Sequence, residues 1–250
     1  MAGALWTKVI DLSNDVGGKA LQRMEGWVLR YSEVETTPFL PQERFPWIQS
    51  LEDGVDVIRA ELDGVLTHQD ELPNFQDIST DQRALTDDDK WKTYFFFGYG
   101  FKSEANCARC PQTTRLLQEV PGLTTAFFSI LSPHKHIPPH RGPWRGVIRY
   151  HLALKIPEPS DQCGIRVGGE VAHWTEGKSL VFDDGYEHSA WNDTDGVRVV
   201  LFVDVLRPLR GPGEWANKAL IKAIALSPFI RDGKARHRDW EKRFEAIRNR

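Results

Sequence analysis

The chain is poor in cysteine, has no long apolar run and carries no surplus of positive charge. Three cysteines in 250 residues cannot build a disulfide scaffold, and their scarcity suits a reducing compartment, so a cytoplasmic location is expected. No stretch approaches the ~18 apolar residues that a membrane span requires. The segment from Met1 to Asp11 also lacks the apolar core of a signal peptide. Lys and Arg number 32 against 35 Asp and Glu, and the net charge of −3 leaves no electrostatic footprint for a nucleic-acid partner. No serine, cysteine or paired-carboxylate constellation stands out as catalytic machinery.

What is present divides the chain by pattern. Trp47, Ile48, Leu51, Val55, Ile58, Leu62 and Leu66 recur at helical spacing and predict one apolar helical stripe. Residues 67–90, with Pro73, Asn74 and the run Asp87-Asp88-Asp89, read as polar loop, the acidic run being solvated surface. Trp91 to Phe101 is strongly aromatic and reads as a strand entering the core, broken by Gly98 and Gly100. Pro111 to Val120 suits a short helix that starts at its proline. From Thr124 the pattern changes to short Val-, Ile-, Leu- and Phe-rich strands at 124–132, 146–155, 164–167, 170–174, 179–183 and 197–206. Residues 214–230 return to helical spacing through Trp215, Leu220, Ile221, Ile224 and Leu226, and the charged tail from Lys234 to Arg250 predicts a surface helix. The expected architecture is mainly β: a single unit over 1–250 with a helical flank at 1–90, a sandwich or jelly-roll core at 91–208 and a helical flank at 209–250.

Strand parity connects this pattern to chemistry. Arg149 and His151 share a face with Val147 and Ala153, while Ile148, Tyr150, Leu152 and Leu154 take the other. Both faces are apolar, so the strand is expected to be covered on both sides, and Arg149 and His151 then need polar partners. Arg198 faces the same problem beside its parity-mates Val200 and Phe202. A small dicarboxylate would satisfy such groups, because guanidinium forks onto carboxylate through charge-assisted bonds. The structural alternative for Arg198 is an ion pair with Asp204 or Asp183.

His140, in Pro-Pro-His-Arg-Gly-Pro, and His188, in Phe-Asp-Asp-Gly-Tyr-Glu-His, both lie on segments that read as strand ends. Neutral imidazole is the commonest protein ligand for a transition metal. Non-heme Fe(II) oxygenases use two histidines and usually one carboxylate. The residue two after His140 is Gly142, which implies either no metal or an iron held by two protein ligands. Asp184 is the nearest other carboxylate source, acting through water or by orienting His188. His134 and His136 read as loop residues approaching the site. Cys107 and Cys110 lack the second pair that a structural zinc needs and read as ordinary thiols, with Cys163 at a strand edge. His173 and His237 have no supporting pattern.

From Ala126 to Pro208 the chain resembles the aspartyl/asparaginyl β-hydroxylase family of Fe(II)- and 2-oxoglutarate-dependent dioxygenases. The resemblance is carried by Phe128-Ser129, Pro139-His140-Arg141-Gly142-Pro143, Arg149 to Leu154, Glu176-Gly177-Lys178, Phe182-Asp183-Asp184, His188, Val197-Arg198-Val199 and Asp204 to Pro208. Vertebrate members of the family share the glycine after the first histidine. Bacterial lipid A hydroxylases, similar in strand motifs and in the Arg-Pro exit, usually have aspartate there. The resemblance implies a cupin-like double-stranded β-helix with iron at its open end, held by His140 and His188. It also implies that Arg198 and Ser129 bind the distal carboxylate of 2-oxoglutarate and that His151 contacts the carboxylate nearer the metal. Arg149 would assist co-substrate or substrate. The implied reaction consumes molecular oxygen and 2-oxoglutarate to hydroxylate an unactivated C–H of a small-molecule, peptide or acyl-lipid substrate. An aspartyl or asparaginyl side chain, or a related amino acid, is the first expectation. A fatty-acyl chain, as in lipid A hydroxylases, is the second, and a non-oxidative cupin-like small-acid-binding protein is the rival from another class.

Overall fold

The computed structural model describes residues 16–78 and 85–248. The opening segment, residues 79–84 of the polar stretch and the last two residues of the tail lie outside the described residues.

Ten strands form two antiparallel sheets. They are β1 (Trp91–Gly98), β2 (Phe101–Lys102), β3 (Leu123–Leu131), β4 (Lys135–His140), β5 (Val147–Lys155), β6 (Cys163–Val167), β7 (Glu170–His173), β8 (Ser179–Phe182), β9 (His188–Asn192) and β10 (Arg198–Leu206). A six-stranded sheet has the order β2-β1-β3-β10-β5-β8, and a four-stranded sheet has the order β4-β9-β6-β7. The six strands expected after Thr124 all form, within about two residues of their expected limits. Of β9 and β4 only the ends at His188 and His140 were expected, and Pro138 and Pro139 argue against a ladder in β4. It sits at the edge of its sheet, where missing N–H donors are tolerated.

The expectation of a mainly β, closed jelly-roll core is corrected by this structure. Neither sheet closes on itself, and among the described residues helices occupy more of the chain than strands. The architecture is mixed α/β, with two open sheets. Its helices are α1 (Val16–Leu29), α2 (Ile48–Asp53), α3 (Val55–Leu66), α4 (Phe75–Ile78), α5 (Glu104–Arg109), α6 (Pro111–Gln118), α7 (Gly211–Ala225) and α8 (Pro228–Arg248). Strands buried on both faces announce themselves as apolar runs, whereas helices covering one sheet face need only a sparse stripe, so the sequence under-represents them.

The stripe from Trp47 to Leu66 folds as two helices instead of one. A Cβ on Gly54 would lie 2.5 Å from Leu116 Cδ1, so the chain turns where α6 touches it. Ile48, Leu51, Ile58 and Leu62 are buried against the outer face of the large sheet, beside Ile148, Tyr150, Leu152 and Leu154 of β5. The other face of β5 and β10 brings Ala153 and Val200 against Cys163, Ile165, Val167 and Ala190 of the small sheet. Parity therefore assigned both faces of β5 correctly. Cys163 is the first residue of β6, at the strand edge where it was expected, and it is buried. The charged tail is more than a surface helix: Trp240 and Phe244 of α8 enter the main core, and the Trp240 indole donates to the Glu71 carbonyl at 2.9 Å.

A candidate metal and co-substrate site

Strands β4 and β9 run antiparallel at the edge of the small sheet, and their register sets His140 directly opposite His188. The two ring centroids are 4.1 Å apart. Each imidazole donates locally from Nδ1, His140 to the Pro138 carbonyl at 2.8 Å and His188 to the Tyr186 carbonyl at 3.0 Å. These bonds select the tautomer whose Nε2 carries the lone pair, the arrangement a metal-binding histidine needs. Desolvation lowers His140 to about 4 and His188 to about 2, with help from His140 and Arg149 at the latter. Both rings are neutral at physiological pH and fit a transition-metal ion. Among the described residues no group of three or more His, Cys, Asp or Glu side chains is arranged to hold a metal.

The absent third side chain has a physical cause. A Cβ on Gly142 would lie 2.1 Å from Asp184 Oδ2 and 2.4 Å from its Cγ. The Asp184 carboxylate thus fills the volume that a side chain at position 142 would take, and the Gly142 N–H donates to the Asp184 carbonyl at 2.8 Å. Asp184 Oδ2 pairs with Arg149 Nη2 at 2.9 Å, while Oδ1 is buried without a protein partner. Burial, opposed by Arg149 and reinforced by Asp204, pushes the Asp184 carboxyl up to about 7. Gly142→Asp is accordingly expected to cost ~1–3 kcal/mol of stability through overpacking, without raising turnover. The double variant Gly142→Asp/Asp184→Gly should recover most of that loss in a thermal melt.

Arg149 is already committed. Its Nε and Nη2 reach Asp204 Oδ1 and Oδ2 at 2.8 and 3.1 Å, and its guanidinium lies over the Phe202 ring. Nη1 comes within 3.5 Å of His188 Nε2. Arg198 differs. It is 1% exposed, its Nη1 touches only the carbonyl and hydroxyl of Ser129 at 3.4 Å, and its Nε has no partner. Neither Asp183 nor Asp204 serves it, since these carboxylates belong to Arg145 and Arg207 and to Arg149. Burial alone lowers the Arg198 guanidinium to about 10. On the neighbouring strand β5, His151 is buried with both ring nitrogens unsatisfied, and the Trp174 indole N–H beneath Arg198 is unsatisfied too. Trp91 Nε1 donates to Ser129 Oγ at 3.0 Å, fixing that hydroxyl beside the guanidinium. An uncompensated cation with orphaned donors around it is the donor set of an anion site, and it fits a carboxylate.

The loop between β8 and β9 is pinned by Asp183. Its Oδ2 accepts from Arg145 and Arg207 at 2.5 Å each, and its Oδ1 accepts from the Gly185 N–H at 3.0 Å. Asp183→Asn should therefore destabilise the protein by ~3–5 kcal/mol, the cost of breaking a buried pair, read as a lower denaturation midpoint.

The structure brings His140, His188, Asp184, Gly142 and Arg149 together at one point, and Ser129, His151 and Arg198 into a second cluster. Arg149 and His151, two apart on β5, link them. Reading the sequence missed Trp91, Trp174 and Tyr99. Tyr99 has φ +38 in the β1–β2 turn, an unusual value for a side-chain-bearing residue, and its phenol lies in the field of Asp204, Asp184 and Arg149. Positive φ at a tyrosine leaves no trace in a one-dimensional pattern. His134 and His136 stay on the surface, paired with Asp195 and Asp193. Cys107 and Cys110 are free and buried, and burial raises the Cys110 thiol to about 12, in keeping with an inert role.

The family model described as aspartyl/asparaginyl beta-hydroxylase matches residues 52–208. A protein of Rhizobium tropici called ornithine lipid ester-linked acyl 2-hydroxylase is 51% identical over 226 residues, covering 89% of this chain and 80% of that protein. The human aspartyl/asparaginyl beta-hydroxylase is 37% identical over 123 residues, covering 47% of this chain but 16% of the human protein. A rat protein called aspartate beta-hydroxylase domain-containing protein 2 is 32% identical over 189 residues, covering 70% of this chain and 52% of its own length.

Proposed function

The chain belongs to the aspartyl/asparaginyl β-hydroxylase family, and on that premise we propose that it is an Fe(II)- and 2-oxoglutarate-dependent hydroxylase acting on an ester-linked acyl chain of a lipid. Family membership carries hydroxylase-type activity. The lipid substrate is carried by one observation, the 51% identity to an acyl hydroxylase over nearly the whole chain, whereas similarity to the human aspartyl/asparaginyl beta-hydroxylase is confined to about half of it. The first expectation, an aspartyl or asparaginyl side chain, gives way to the second.

His140 and His188 would hold iron through Nε2, and the buried Asp184 carboxylate lies next to them where it can position a water or the His188 ring. Arg198, aided by Ser129 Oγ, would bind the distal carboxylate of 2-oxoglutarate, which supplies the counter-charge that Arg198 lacks. His151 would face the carboxylate nearer the metal. Arg149, clamped by Asp204 and Asp184, keeps a positive charge beside His188 and adds to the burial and the neighbouring His140 that hold that ring neutral. With both groups bound, the centre supplies oxidative decarboxylation of the co-substrate coupled to oxygen insertion into a C–H bond. The protein contributes binding, orientation and water exclusion.

The test is direct. Purified protein with Fe(II), 2-oxoglutarate and oxygen is offered an ester-linked acyl lipid and, separately, an aspartyl/asparaginyl peptide. Succinate should form with the lipid, in step with a mass gain of one oxygen atom on the acyl chain. Hydroxylated peptide with untouched lipid would restore the first expectation, and no succinate with either would favour the non-oxidative reading.

A further inference from the structure

Helix α7 has two faces with different occupations. Inward, Asn217 accepts from the Trp144 indole and donates to the Gly146 carbonyl, each at 2.7 Å, so the helix anchors the segment that leaves His140 through Arg141 and Gly142. Its C-terminal end reaches the β1–β2 turn, where a Cβ on Gly100 would lie 3.7 Å from Ala225, next to Tyr99. Outward, Trp215, Lys218, Ala219, Lys222, Ala223 and Leu226 form one exposed stripe at helical spacing. Trp215 is 77% exposed and Leu226 70% exposed.

A second helix extends this surface. The backbone of Gly213 is tight against Tyr31, whose ring meets that of Trp27 edge-on at 5.0 Å, and Trp27 and Met24 are both exposed on α1. Glu25, between them, faces Arg141 and Arg145 of the site segment. The exposed cations of the face itself are Lys218 and Lys222 of α7 and Arg23 of α1, and the carboxylate beside them, Glu214, pairs with Lys218 Nζ at 2.5 Å.

We propose that the outer face of α7, continued by Trp27 and Met24 of α1, docks on an anionic lipid bilayer and sets the His140–His188 site at the membrane surface. Exposed tryptophan and leucine beside lysines, on a helix otherwise fixed to the protein, are the composition of an interfacial helix. Tryptophan favours the headgroup level, and lysine is drawn to acidic lipid. The proposal rests on the acyl-lipid reading for its purpose, since a substrate of that kind resides in a bilayer. The binding itself requires neither iron nor 2-oxoglutarate.

The experiment is flotation of the full chain with vesicles of phosphatidylcholine alone or mixed with phosphatidylglycerol. Wild type should float with the phosphatidylglycerol vesicles and much less with phosphatidylcholine. Trp215→Ser and Lys218→Glu/Lys222→Glu should each lower that partition by about tenfold, while succinate formation with a dispersed short-chain substrate stays at the wild-type rate. Wild type that fails to float, or variants that float equally well, would overturn the proposal. So would a Trp215→Ser variant that changes from dimer to monomer while floating unchanged, because the face would then join two copies. Protein that floats yet leaves every acyl lipid unhydroxylated would sustain the docking surface and sink the substrate reading.

Discussion

His188→Ala is expected to leave purified protein without bound iron and to reduce succinate formation to background. One argument concerns the count of nitrogens: the rings of His140 and His188 meet at 4.1 Å, and each offers a single lone pair because Nδ1 is spent on a backbone carbonyl. Removing either ring leaves one protein nitrogen, and His140→Ala should behave alike. The loss should exceed the ~10–100-fold that follows removal of a hydrogen-bond partner behind a ligand. Iron content after desalting and succinate yield, measured side by side with a thermal melt, check the expectation. Full turnover in either variant would remove the pair from the site.

Arg198→Leu is expected to weaken 2-oxoglutarate binding by ~2–5 kcal/mol, the range for losing one partner of a desolvated charge pair. In a titration this is a rise in Kd of ~30-fold to a few thousandfold. Iron retention should be unaffected, since Arg198 bonds to Ser129 and not to either histidine. The sign of the stability change separates this role from a structural one. Arg198 is buried with an unsatisfied Nε and without a carboxylate partner, so an apolar replacement removes an uncompensated charge. The ligand-free variant should melt no lower than wild type, and the stabilisation that 2-oxoglutarate confers on wild type should vanish. Unchanged co-substrate affinity, or a variant that unfolds several degrees earlier without ligand, would return Arg198 to the scaffold.

The sequence by itself determined β3, β5, β6, β7, β8 and β10 and the two-faced burial of β5, because side-chain alternation is a local property that a sheet converts into inside and outside. It also singled out His140, His188, Arg149, His151 and Arg198, since ionisable groups among apolar neighbours demand an explanation wherever the chain goes. The helical share was harder to read. Helix α8 looks like charged surface, yet Trp240 and Phe244 lock it into the core, and two aromatic residues in a polar stretch carry too little periodicity to reveal that.

Only the tertiary structure decided who meets whom. The register of β4 on β9, set across a bulge by hydrogen bonds between segments far apart in sequence, turned two separated histidines into one pair. Long-range packing assigned Asp204 to Arg149 and Asp183 to Arg145 and Arg207, and thereby left Arg198 unpaired. It also explained Gly142. In the sequence that glycine is a missing carboxylate. In space it is the room that Asp184 needs, because two side chains cannot occupy one volume and a neighbour from another loop had already filled it.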